Sequence, residues 1–241
     1  MRLTVLGCQG PFPGPGGATS GYLAETEKEA VALDLGSGCL AELMRYRAPE
    51  RLTALVFSHW HHDHCADALP LLYRLQAKGA VLDVWGPEDE SSPVFSQLRR
   101  EACVRLHILA PGDTAVLGEK GEITLRAWGA RHPVPALLLR LEGEGKALCY
   151  TGDSNTTPPL AEFAREADLL LADGLFPERL WGEGKPHLSA RLAAELAREA
   201  GAKQLVITHL NPELDPAELL EEARRVFPGA VLAERGLRLD L

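Results

Sequence analysis

The chain of 241 residues has 34 acidic and 25 basic side chains, a formal net charge of −9 at pH 7, and 46% apolar residues. That length and apolar content suit one large domain, 1–241, with a sizeable core. The acidic balance argues against a general nucleic-acid binder, which grips phosphates with basic surface, and no apolar run approaches the ~18 residues of a membrane span.

The amino-terminal MRLTVLGC reads as a short strand, 2–8, and not as a secretory signal. The glycine-rich segment that follows, Gly7 to Gly17, fails as a phosphate-binding fingerprint. Pro11, Pro13 and Pro15 forbid a helix opening there, so the segment reads as a loop over a cleft. Strands at 20–26 and 30–35 come next. The second ends at Asp34 before Gly36, where the carboxylate suits a helix cap or the support of a site. A helix at 37–47, a strand at 52–58, a helix at 64–78 and a strand at 80–86 follow. A helix at 92–102 then leads to strands at 104–109, 114–118, 122–129, 136–142 and 146–151. The rest alternates: helix 158–166, strand 168–173, helix 189–200, strand 204–209, helix 215–226 and strand 229–240. Asp215 before Pro216 is a good helix start. Mixed strand runs with helices at intervals predict an α/β fold, two sheets flanked by helices.

Chemistry concentrates in Ser58-His59-Trp60-His61-His62-Asp63-His64. Side chains two apart on an extended segment point the same way, so His59 and His61 can grip one ion from the strand end. Asp63 and His64 open the next helix and can face a second ion. Two adjacent metals are hydrolase geometry.

This run is the signature of the metallo-β-lactamase superfamily, and the resemblance extends along most of the chain. It implies a four-layer αββα sandwich occupying 1–241 as a single metallo-β-lactamase-like domain. It also implies further ligands: His132 in GARHPVP with His59 and His61, His209 in VITHL with Asp63 and His64, and Asp153 in YTGDS shared between the two sets. Five imidazoles and two carboxylates around two divalent ions leave about +2, which favours activation of water at neutral pH. Structural zinc sites use cysteine and a closed shell instead. Nitrogen and carboxylate ligands suit zinc, with manganese and iron as alternatives.

Within the superfamily, the opening LTVLGCQGPFPGPGGATSGYLAE and the segment HPVPALLLRLE resemble the tRNase Z branch. LLADGLF resembles its His-Glu-Ala-Thr segment, with Asp173 in place of the glutamate. KPHLSA resembles its His-Ser-Thr-Ala segment, which makes His187 a proton donor to the leaving oxygen, oriented by Asp173. His187, Asp173 and Asp63 are the candidate catalytic residues. The tRNA-clamping arm of that branch has no room here, because His132 and Asp153 stand 21 positions apart, enough for two paired strands. The expected substrate is therefore a small anionic molecule and not tRNA, with no membrane partner. A bridging hydroxide would attack phosphorus in a small or cyclic phosphodiester. Leu138 and Leu139 stand where the branch often has a small residue and an aromatic, which bears on its substrate pocket. The resemblance also implies a homodimer.

Rival readings are an ester, lactone or thioester hydrolase on the same centre, an iron redox protein of the flavodiiron sort, and a non-catalytic metal binder. The redox reading needs a carboxylate in the region that His61 occupies. Cys8, Cys39, Cys65, Cys103 and Cys149 are odd in number and far apart, which predicts reduced thiols in a cytoplasmic protein. Plentiful Arg, Glu, Pro and Leu with scarce Asn, Gln and Met match a thermophilic composition. His62 and His107 are expected outside the ligand set, Trp60 at the pocket mouth or packed, and Asp67 orienting a ligand histidine. Lys185 and Arg131 are expected mainly on the surface.

Overall fold

The computed structural model describes residues 1–118 and 122–241. In chain order its strands are β1 (Arg2–Gly7), β2 (Gly21–Glu25), β3 (Ala30–Leu35), β4 (Ala54–Val56), β5 (Leu82–Gly86) and β6 (Val104–Ile108) in the first half. They continue with β7 (Thr114–Leu117), β8 (Ile123–Gly129), β9 (Leu137–Gly143), β10 (Lys146–Tyr150), β11 (Leu169–Asp173), β12 (Leu205–Thr208), β13 (Val231–Leu232) and β14 (Arg238–Asp240). The helices are α1 (Cys39–Leu43), α2 (His62–Cys65), α3 (Ala68–Lys78), α4 (Pro93–Leu98), α5 (Leu160–Phe163), α6 (Ala190–Ala200) and α7 (Pro216–Val226).

Two sheets result among the described residues, in the orders β14-β1-β2-β3-β4-β5-β6 and β13-β12-β11-β10-β9-β8-β7. Each is antiparallel on one side and parallel on the other. The change falls at β3 in the first sheet and at β10 in the second. The parallel strand Leu169–Asp173 is buried along its whole length, because both of its faces are covered. Val5, Val31, Leu33 and Val56 of the first sheet meet Leu125, Leu139, Leu148 and Leu171 of the second in the central core. The outer face of the first sheet packs under α1, α3 and α4 through residues such as Leu55, Phe57, Leu71 and Phe95. The outer face of the second packs under α5, α6 and α7 through Leu170, Ile207, Phe163 and Ala194. The layers are α, β, β, α, as the sequence predicts.

Two predicted elements are broken in the structure. The helix expected over 64–78 is two, α2 and α3. Pro70 has no N–H to give the Ala66 carbonyl, and its ring would strike that carbonyl in a continuous helix, so a new helix begins at Ala68. The strand expected over 229–240 is also two: β13 pairs with β12, and β14 pairs with β1 in the other sheet. Between them the chain turns at Gly236, whose φ of 88° suits glycine.

β9 and β10 form a direct antiparallel hairpin through Glu144 and Gly145. No excursion larger than that turn separates the two strands. Leu138 and Leu139 on β9 are fully buried, one beneath the outer helices and the other between the sheets. Neither lines a cleft, because the alternation of the strand directs both into cores. No helix of the described residues is long and apolar enough to cross a membrane.

Candidate metal centre

The site lies where the parallel strands end, the edge at which loops of such sheets present their ligands. Three of these ends turn sharply through left-handed backbone: Asp34, the last residue but one of β3 (φ 55°), Gly152 after β10 (φ 52°) and His209 after β12 (φ 57°). Such conformations in non-glycine residues gather at functional sites.

The loop after β4 carries His59 and His61. Their facing nitrogens, Nε2 and Nδ1, stand 3.1 Å apart, and Nε2 of His132 is 3.0 Å from the same His61 Nδ1. Imidazoles sharing one zinc at about 2.0–2.1 Å have nitrogens about 3.3 Å apart, so the three rings have the spacing of a ligand set. Burial disfavours the charged form of all three and holds their pKa values down, which keeps them neutral and able to ligate. Two of the other nitrogens are fixed: His59 Nδ1 is 3.1 Å from the Ser58 hydroxyl, and His132 Nδ1 is 3.2 Å from the Pro186 carbonyl.

α2 supplies the second set. Asp63 Oδ2 stands 3.1 Å from His209 Nε2 and 3.6 Å from His64 Nε2. Asp153 lies between the two sets, with Oδ1 3.2 Å from His64 and Oδ2 3.4 Å from His209 and 3.6 Å from His59. Burial would raise both carboxylates, but the surrounding imidazoles outweigh it and hold them low, so they remain ionised. Each of the two groups, His59-His61-His132-Asp153 and Asp63-His64-Asp153-His209, has its donor atoms within 4.8 Å of one another. His64 Nε2 and Asp153 Oδ1 are buried with no hydrogen-bond partner. Orphaned buried groups are costly, and a cation between them would satisfy both. The donor set therefore fits divalent ions.

Asp34 is fully buried and supports this floor. Its Oδ1 accepts from the Ser58 N–H at 2.7 Å, and its Oδ2 accepts from the Ser58 hydroxyl, from His64 Nδ1 and from the Tyr150 hydroxyl at 2.8, 2.7 and 2.7 Å. Asp67 does not reach a ligand histidine. Its carboxylate accepts from the Leu40 N–H at the start of α1, because the break before α3 removes it from the α2 register.

Beside the two sets, His187 Nδ1 meets Asp173 Oδ2 at 2.8 Å, and the His187 ring stacks on that of His209 at 4.9 Å. Burial pulls the His187 pKa down, but the Asp173 charge and hydrogen bond prevail and push it up to about 9. Ser189 also caps α6, so this segment serves a helix start and places an imidazole at the site. The glycine-rich loop runs along the edge of the site, with Gly10 N–H bonded to the Leu210 carbonyl. A Cβ on Gly10 would lie 2.1 Å from His209 Nε2.

The other expected positions lie outside. His62 is exposed. His107 is bonded to Asp83 and stacked on Trp85. Trp60 is packed, giving its indole N–H to the Pro87 carbonyl at 2.7 Å. The Arg131 guanidinium is taken up by the Thr156 and Glu183 carbonyls, and Lys185 sits over the Phe176 ring. All five cysteines are free and buried. Sequence reasoning misses Ser58, Tyr150 and Asn155, whose roles arise from contacts across the fold.

An αββα sandwich with a histidine-aspartate cluster at the strand ends defines a metallo-hydrolase. The model of the Beta-lactamase superfamily domain matches residues 33–210, and the chain belongs to that family. It is 33% identical over 237 residues to the probable metallo-hydrolase YhfI of Bacillus subtilis, covering 96% of each chain. The crystal structure of YhfI superposes with a TM-score of 0.91, covering 99% of this chain and 98% of that one. Ribonuclease Z of Archaeoglobus fulgidus is 36% identical over 299 aligned positions, spanning 100% of this chain and 98% of the archaeal one. That alignment is longer than the 241 residues here, so the archaeal protein has segments that this chain lacks. A diphosphatase of the PhnP family shares the fold, with a TM-score of 0.73 over 100% of this chain and 97% of that one, at 20% identity.

Proposed function

We propose that this hydrolase is a dinuclear phosphodiesterase acting on a small or cyclic phosphodiester. The observation that carries the reading is the Asp173–His187 pair at 2.8 Å beside the two ligand sets. Phosphodiester cleavage expels a poor alkoxide, and a positioned proton donor contributes typically 10²–10⁴-fold. Ester and lactone carbonyls have less need of one.

His59, His61 and His132 would hold one ion, Asp63, His64 and His209 the other, and Asp153 both. Divalent ions, zinc foremost, supply water activation and neutralisation of phosphoryl charge when bound there. The rest is done by the chain. Asp173 holds His187 through Nδ1, which leaves Nε2 to present a proton to the departing oxygen. Asp63 and Asp153, ionised among the imidazoles, supply the negative charge that would hold the ions. The plain β9–β10 hairpin and the net charge of −9 favour a small anionic substrate over tRNA. The names of two relatives, a ribonuclease and a diphosphatase, point to phosphorus chemistry as well.

The test is His187→Ala on two phosphodiesters, one with an alkyl and one with a nitrophenyl leaving group. The expected loss is about 10²–10⁴-fold for the alkyl ester and far smaller for the nitrophenyl ester, whose leaving group needs no proton. Equal losses on both would remove the proton-donor role.

A further inference from the structure

Residues 182–187 connect the turn at Glu178–Leu180 to α6, and packing does little to hold them. Glu183, Gly184 and Lys185 are exposed. A Cβ added at Gly182 or Gly184 would meet nothing within 4 Å. Yet this segment delivers both His187 and the Pro186 carbonyl that fixes His132. Its position has to come from polar contacts, and three of them, to the Gly182, Glu183 and Lys185 carbonyls, converge on one buried side chain.

That side chain is Asn155, which is fully buried two residues after Asp153. Its Nδ2 donates to the Lys185 carbonyl at 2.6 Å and lies 3.2 and 3.4 Å from the Gly182 and Glu183 carbonyls. Its Oδ1 accepts from the Thr156 N–H at 2.6 Å, which orients the amide. Its own N–H donates to the Arg131 carbonyl at 3.1 Å, next to His132. One residue therefore joins the loops that carry Asp153, His132 and His187.

The consequence runs through consecutive carbonyls. With Lys185 O pinned by Asn155, Pro186 O is placed 3.2 Å from His132 Nδ1. This contact puts the proton on Nδ1 and the lone pair on Nε2, facing His61; such partners set a ligand's tautomer. His187 O then accepts from the Trp181 indole N–H at 3.0 Å, which closes the segment on itself and leaves the His187 ring against Asp173. The amide suits this position because its two N–H groups face three carbonyls. A carboxylate would set a negative oxygen against the same dipoles.

We propose that Asn155 is a positioning residue: it latches segment 182–187 so that His187 is held against Asp173 in working geometry before substrate arrives. The proposal rests on the reading of His187 as proton donor. It gives the buried asparagine a role distinct from metal binding and from contact with substrate.

The test uses the full chain, metal-analysed, as Asn155→Ala and as the isosteric Asn155→Asp, with melting curves to confirm folding. On an alkyl phosphodiester both variants should lose about 10–100-fold, while a nitrophenyl phosphodiester stays near the unsubstituted protein. In a His187→Ala background, the Asn155 substitutions should cost nothing further on the alkyl ester. Endoproteinase Glu-C should cut after Glu183 faster in both variants. Unchanged proteolysis with unchanged leaving-group dependence would overturn the latch. Equal losses on both substrates that persist without His187 would overturn it too, since a general structural defect behaves that way. Should His187→Ala by itself lose equally on both esters, the proton-donor reading falls. The Glu-C result then decides the latch alone, faster cleavage supporting it and unchanged cleavage overturning it.

Discussion

The Oδ2 atom of Asp34 accepts from the Tyr150 hydroxyl at 2.7 Å, and the same oxygen accepts from the His64 ring at 2.7 Å. Asp34 lies next to the end of β3 and Tyr150 ends β10, the two strands at which each sheet changes from antiparallel to parallel. The two halves of the sandwich are therefore tied directly beneath the ligand set. Asp34→Asn tolerates the left-handed backbone but turns an amide toward three donors. Metal affinity should fall by about 10–100-fold, read by calorimetric titration of the metal-stripped protein. Tyr150→Phe leaves three of the four Asp34 contacts in place and should lose less.

Gly10→Ala tests the close approach of the glycine-rich loop. The added Cβ would fall 2.1 Å from His209 Nε2, so either the ring or the loop must shift. The variant should fold, because Gly10 lies outside both sheets, and should bind less metal than the unsubstituted protein by elemental analysis. Full binding with an unchanged melting temperature would show that the loop yields freely.

Asp168 provides a pH-dependent element of stability away from the site. Burial would raise its carboxyl pKa, but Lys203, the Ala147 N–H and Lys146 outweigh it and bring the value down to about 2. A depressed carboxylate stabilises the fold fully above its unfolded value of about 3.9 and loses that contribution as pH falls through the folded one. Asp168→Asn should thus cost on the order of 1–3 kcal/mol at neutral pH. The gap should close between about pH 4 and pH 2 in denaturant titrations.

The cysteines should be silent in the folded protein. All five are buried, and burial raises every thiol pKa, that of Cys8 and of Cys149 to about 12. Thiolate is the reactive form, so Ellman's reagent should report no thiol until the chain is unfolded and five afterwards. Fast reaction of Cys65, next to His64, would contradict this.

The first four candidate ligands are legible because their chemistry is local in the chain. His59, His61, Asp63 and His64 lie within six positions, and the strand that precedes them sets their direction. His132, Asp153 and His209 are far apart in the chain and are legible only through the family resemblance, each following a strand-like segment. Asp67 was misread because a helical spacing was carried across the break that Pro70 imposes. The strand over 229–240 was misread because apolar pattern does not say when a chain changes sheets. Tyr150 and Asn155 could not be found this way. The Tyr150–Asp34 contact spans 116 positions and the Asn155–Lys185 contact spans 30, and a buried tyrosine or a loop asparagine has an ordinary meaning in any single sequence.

Hydrolysis of bis(p-nitrophenyl) phosphate by metal-analysed protein, with Asp63→Ala alongside, bears most directly on the proposed chemistry. Turnover that requires two ions per chain and disappears in the variant is the expected result. Two bound ions with no turnover of this ester, and cleavage of a lactone or thioester in its place, would contradict the phosphodiesterase reading and move the same centre to carbonyl substrates.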